Sequence, residues 1–159
     1  MPMTFDTYNV CSYDCLYCFS FFQKSHSMLG YLDKKVRSVE PKKVVNMFNS
    51  ILNGRFERLD NSQAQFIPYV SKRKVMQWGA LADQFDNFEK KYHISLKLMR
   101  YFDSIDYPLS FSTKAVWWTE DDGYMKLFER HKHNWHVKVS IISLSEKSKN
   151  IERGVPSPQ

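Results

Sequence analysis

Short strand-like runs alternate with amphipathic helical stretches along this chain, and that order leaves few folds open. Thr4–Val10 carries alternating large side chains and reads as a first strand, with Val75–Trp78, Leu109–Thr113 and His136–Ser143 as the second, third and fourth. Between the first two, Val44, Met47, Phe48, Ile51 and Leu52 recur at helical spacing. Pro41 suits the first turn and Gly54 the C-terminal cap, so a helix is expected from Pro41 to about Asn53. Residues 55–74, charged and containing Pro68, read as an irregular connection. Asp86 and Glu89 have the spacing of a capping box and open a helix carrying Phe88, Tyr92, Leu96, Met99 and Phe102 on one side. Thr119 is the expected N-cap of a helix ending near His131. Parallel strands joined through helices need right-handed crossovers, so the expected fold is α/β with a parallel sheet. It comprises four β–α units in one domain over residues 1–159, the fourth without its helix.

Hydrophobic residues make up 43% and aromatics 16%, enough for a sizeable core in 159 residues. No run approaches the 18 apolar residues of a membrane span, and the start Met-Pro-Met-Thr-Phe-Asp has neither the basic nor the apolar region of a signal peptide. The formal net charge of +6 is compatible with an anionic partner such as nucleic acid, although Lys72-Arg73-Lys74 reads as a solvated face.

Cys11, Cys15 and Cys18 are the only cysteines, and they follow the first strand within eight residues of one another. An odd, clustered count does not make a disulfide framework. Thiols spaced C-x3-C-x2-C on one loop look like ligands converging on one inorganic centre, and free thiols fit a reducing cytoplasm. A [4Fe–4S] cluster held by these three would keep one iron open, because the chain has no fourth cysteine. The alternatives at this point are a zinc site completed by His26, or three unrelated thiols. His131, His133 and His136 stand near a helix end and a strand start without a carboxylate in register, so no metal is expected there. Trp117 and Trp118 are expected to pack in the core.

The cysteine spacing, with the aromatic Tyr17 just before the third cysteine, resembles the signature of the radical S-adenosylmethionine enzymes. Within them the chain is similar to the spore photoproduct lyase-like group over Trp78–Asp83 and on to Glu89, Ser112-Thr113-Lys114, Val139–Ser143 and Ile151–Pro158. The resemblance implies a partial (βα)6 TIM-like barrel, of which four units are present as the N-terminal portion. Either a missing C-terminal half or a second chain is then expected to cover the sheet edge. It further implies that S-adenosylmethionine chelates the open iron and is cleaved reductively to methionine and a 5′-deoxyadenosyl radical. A reductant such as flavodoxin or ferredoxin supplies the electron, and the radical abstracts hydrogen from an unidentified substrate in lyase-like chemistry, nucleic acid included.

By the same resemblance, Tyr17 covers the cluster and positions adenine. Gly79-Ala80-Leu81 stands where the family has Gly-Gly-Glu, so only the backbone role of Gly79 and Ala80 carries over. Ser112 and Lys114, at the end of the third strand, and Ser143, at the end of the fourth, are expected at the ribose and methionyl carboxylate of S-adenosylmethionine. The rival reading is a non-catalytic iron–sulfur or zinc-binding remnant.

Overall fold

The structure, a computed structural model, describes residues 3–20, 35–145 and 149–156. His26, Ser157 and Pro158 lie outside the described residues. Four strands form one sheet in chain order: β1 (Met3–Phe5), β2 (Met76–Trp78), β3 (Leu109–Thr113) and β4 (Trp135–Val139). Every neighbouring pair is parallel, so the α/β class expected from the alternation is the one observed.

The strand interior explains the order. In β3, four of five residues are buried, as a central strand covered on both faces requires. Trp78 stacks on Phe111 at 5.4 Å, and Phe102, Phe128 and Trp135 meet these rings edge-on. Rings packed this way add to the roughly 1.5–3 kcal/mol that burying each large apolar side chain contributes. β1 is shorter than expected, because pairing stops at Phe5 and Tyr8 instead bridges Ser38 in antiparallel sense. β4 also ends early, at Val139. Its outward alternation is not buried, with Val139 44% and Ile141 66% exposed.

Helix α1 (Pro41–Leu52) matches its sequence pattern. Val44, Phe48 and Ile51 are buried, Pro41 opens the first turn, and Gly54 takes a left-handed φ of 68° just past the C-cap Asn53. Gly54 N–H donates to Ile51 O and Arg55 N–H to Ser50 O, which closes the helix with a Schellman motif. The stretch expected to be irregular contains a 3-10 turn (Phe56–Arg58) and two single-turn helices, α2 (Asn61–Ala64) and α3 (Ile67–Val70). Asp60 and Gln63 make a capping box for α2, and Pro68 sits in the first turn of α3 rather than breaking it.

One helix was expected after Asp86, and two are found: α4 (Asn87–Tyr92) and α5 (Ile94–Ser104), split by His93 at φ 51°. Asp86 does cap α4, through Phe88 N–H. Glu89 does not return to Asp86. Its buried carboxylate instead accepts from Ser95 N–H and Leu96 N–H, both at 2.9 Å, and so caps α5. The same carboxylate accepts from the phenols of Tyr8 at 2.5 Å and Tyr124 at 2.8 Å. Leu96, Met99 and Phe102 are buried as expected, whereas Tyr92 is 43% exposed. Thr119 is not an N-cap; it lies in a 3-10 turn (Trp117–Glu120), and Asp121 caps α6 (Asp122–Arg130) through Gly123 N–H. Trp118 is buried, and the Trp117 ring nitrogen donates to Phe85 O. No helix among the described residues is long and apolar enough to cross a membrane.

Candidate functional site

The cysteine loop leaves β1 at the carboxyl end of the sheet, where parallel α/β sheets carry their ligand sites. Its path is held by backbone. Cys18 N–H donates to Cys15 O at 3.1 Å, and Ser12 N–H donates to the Asp86 carboxylate at 2.7 Å. Tyr13 is buried beneath the loop. From the other side, residues 149–156 close over it. Leu16 N–H donates to Ile151 O, Gly154 N–H donates to Tyr13 O, and Cys15 pairs with Glu152 as an antiparallel bridge. Gly154 is required there, since a β-carbon would stand 2.5 Å from Ser12 O and 2.8 Å from Tyr13 Cα.

All three cysteines are free thiols, Cys15 buried and the other two partly exposed. They line one cavity of ≈ 200 Å³ together with Gly79, Ala80, Ser112 and Lys114. Gly79 has φ 86°, and a β-carbon on it would stand 2.6 Å from the Ser112 carbonyl oxygen and collide with Gln84 Oε1. The turn therefore lets only bare backbone approach the end of β3. Asp6, at the end of β1, accepts from Leu81 N–H and Ala82 N–H and fixes the turn. The amide of Gln84 is buried with no hydrogen-bond partner among the described residues, a cost of about 1–3 kcal/mol per group.

Burial pushes the Cys11 thiol up to about 12, against backbone hydrogen bonds from Asp83 and Tyr13 that favour its thiolate. Cys15 is raised as well, by burial and then Glu152, with Lys114 opposing. Thiols in this state become ligands only when a bound cation compensates their charge. The three sulfurs do not all lie within 4.8 Å of one another; among the described residues only Asp106, His131 and His133 form such a group. Free thiols, a common cavity and a backbone cradle at Gly79 fit a cysteine-held cluster.

Lys114 reaches the cavity but is already engaged. Its ammonium lies 2.5 Å from the Glu152 carboxylate and 5.5 Å from the centre of the Tyr17 ring, and the Tyr17 hydroxyl also donates to Glu152. Burial pulls Lys114 down, yet Glu152 and Tyr17 together hold it above the ordinary lysine value. Tyr17 itself is 46% exposed and lies over Lys114. The Ser112 hydroxyl accepts from Gln77 Nε2 at 2.9 Å. Ser143 does not line the cysteine cavity; it lines an adjoining cleft of ≈ 460 Å³ that Lys114, Ser140 and Glu152 also border.

Sequence reasoning missed Asp83, Asp86 and Glu152 as parts of this site. Asp83 is buried and joins the β2 turn to the end of β3 by accepting from Thr113 Oγ1, Lys114 N–H and Phe85 N–H. Two aspartates three apart, just after the Gly79 turn, were the available signal. Glu152 carried none, because its partners stand far away in sequence. Compared with known proteins, the chain matches no family model, no curated protein and no solved structure.

Asp86 gives the site a pH signature. Burial raises its carboxyl to about 6, against hydrogen bonds from Ser12 and Phe88 N–H that favour the charged form. The folded state thus holds its proton more tightly than the unfolded chain, and stability falls as pH rises from about 4 through about 6, by about 3 kcal/mol. Urea unfolding of the metal-free chain at pH 4.5 and 6.5 checks this. The wild-type loss over that interval should exceed that of Asp86→Asn by most of this amount, and equal losses would exclude the assignment.

Proposed function

We propose that this chain carries radical S-adenosylmethionine chemistry, holding a [4Fe–4S] cluster through Cys11, Cys15 and Cys18. The observation carrying the reading is that three free thiols and the Gly79-Ala80 turn face one cavity at the carboxyl ends of parallel strands. When bound, such a cluster supplies one electron, received from a flavodoxin- or ferredoxin-type reductant, for cleavage of S-adenosylmethionine to methionine and a 5′-deoxyadenosyl radical. The residues of this chain do the rest. The cysteines give up their protons to become ligands, and residues 149–156 pin the backbone of the loop. Gly79 admits the amino acid end of the cosubstrate to the backbone. Lys114 pairs with the cosubstrate carboxylate by exchanging Glu152 for it, and the adjoining cleft beside Ser143 takes the nucleoside.

Anaerobic reconstitution with iron and sulfide, followed by S-adenosylmethionine and dithionite, tests this. A brown protein that forms 5′-deoxyadenosine is expected, with Cys11→Ala, Cys15→Ala and Cys18→Ala each losing both properties. One equivalent of zinc at the thiols with no iron uptake would overturn it. A second reading, a cluster-holding module without turnover, is favoured by the Lys114–Glu152–Tyr17 contacts, which already occupy the expected carboxylate ligand. Iron uptake without 5′-deoxyadenosine would select that reading.

A further inference from the structure

The end of the sheet away from the cysteines carries a separate group of ligating side chains. Asp106 lies in the turn between α5 and β3, and His131 and His133 lie in the connection from α6 to β4. His131 Nδ1 is 3.2 Å from Asp106 Oδ1, and His133 Nε2 is 3.5 Å from the same oxygen. All three ligand atoms lie within 4.8 Å of one another. Donors around one tetrahedral zinc stand about 3.4 Å apart, so two edges of the coordination shell are already at the right length. The third closes by rotation of side chains that are 61% and 65% exposed. We propose that Asp106, His131 and His133 form a divalent-metal site, best suited to zinc, that ties the start of β3 to the start of the edge strand β4.

The surroundings of His131 support this assignment. Its ring is buried, stacked on Trp135 at 4.4 Å, and its Nε2 lies 2.8 Å from Asp103 Oδ1. A histidine that donates one ring N–H to a carboxylate presents its other nitrogen as a ligand, the arrangement that orients and strengthens metal-binding imidazoles. Asp103 is in turn held by Arg130 at 2.7 Å. Arg73 donates to the backbone carbonyl of Asp106 rather than to its carboxylate. The Asn134 amide touches both His131 Nδ1 at 3.2 Å and Asp106 Oδ1 at 2.8 Å, and would swing aside as metal enters. Exposed Asp106 and His133 leave room for a water as fourth ligand. Imidazole with carboxylate is a donor set suited to zinc.

Zinc equilibrium dialysis of the full chain is the test. His133→Ala removes an exposed ligand, and Asp106→Asn removes another while tolerating the backbone φ of 47° at that position. Each variant should bind one equivalent of zinc fewer than the wild type, whether or not the cysteines are intact. At a free zinc concentration about 100 times Kd, wild type should gain about a hundredfold in its folded-to-unfolded ratio through this site, and the variants should not. Equal zinc stoichiometry in wild type and both variants would overturn the proposal, leaving His131 as a ring held between two carboxylates.

Discussion

Glu89→Ala is expected to leave the chain largely unfolded at room temperature. The wild-type carboxylate accepts four hydrogen bonds in a dry interior, two from the first N–H groups of α5 and two from the Tyr8 and Tyr124 phenols. Truncation strips all four donors at once, and each buried donor without a partner costs about 1–3 kcal/mol. A cavity adds to that. The sum is comparable with the whole stability of a typical domain, about 5–15 kcal/mol. Glu89→Gln should be milder, costing about 2–4 kcal/mol, because one oxygen still accepts from an amide and a phenol, while the new NH2 faces one phenol that can rotate to receive it and one backbone N–H that cannot. Far-ultraviolet circular dichroism with urea titration separates the cases. An alanine variant within about 2 kcal/mol of wild type would show that this carboxylate does not organise the core.

The second large effect is expected at Gly79. Gly79→Ala meets two penalties, one conformational and one steric. A left-handed φ costs a residue with a β-carbon about 1–2 kcal/mol, and crowding a packed region about 1–3 kcal/mol more. Gln84 can yield as a flexible side chain, but the Ser112 carbonyl belongs to the backbone of β3 and cannot. Gly54 provides the control, since its φ of 68° is similar and nothing lies within 4 Å of an added β-carbon. Gly54→Ala should therefore cost only the conformational part. The difference between the two urea midpoints measures the close approach at the cavity, and equal midpoints would remove it. Gly79→Ala should also lower iron loading after reconstitution, whereas Gly54→Ala should leave it unchanged.

Local signals carried β3 and α1 almost to the residue: α1 has a buried face that repeats at the helix period between Pro41 and Gly54, and β3 is a short run set off by Pro108 and buried on both faces. It failed where a side chain answers to something distant. Asp86 and Glu89 have the spacing of a capping box whether the glutamate turns back to its own helix or inward to Tyr8 and Tyr124, and only burial decides. His131 and His133 lacked a carboxylate at helical spacing, yet the turn before β3 brings Asp106 from 25 positions earlier. Lys114 was expected to be available to a ligand, and its partner Glu152 lies 38 positions further on. The cysteine loop was legible because its three thiols lie within eight residues of one another. The acidic residues that hold it do not.

The bridge between Cys15 and Glu152 also sets a schedule. Glu152 stands 135 positions after Tyr17, so during translation the cysteine loop emerges long before the segment that pairs with it has been made. At about 5–20 residues per second, the interval is on the order of ten seconds. Over that time the thiols lack their final cover and stand open to oxidants and to stray metal ions. An early sequence element of this protein is thus among the last to reach its finished state.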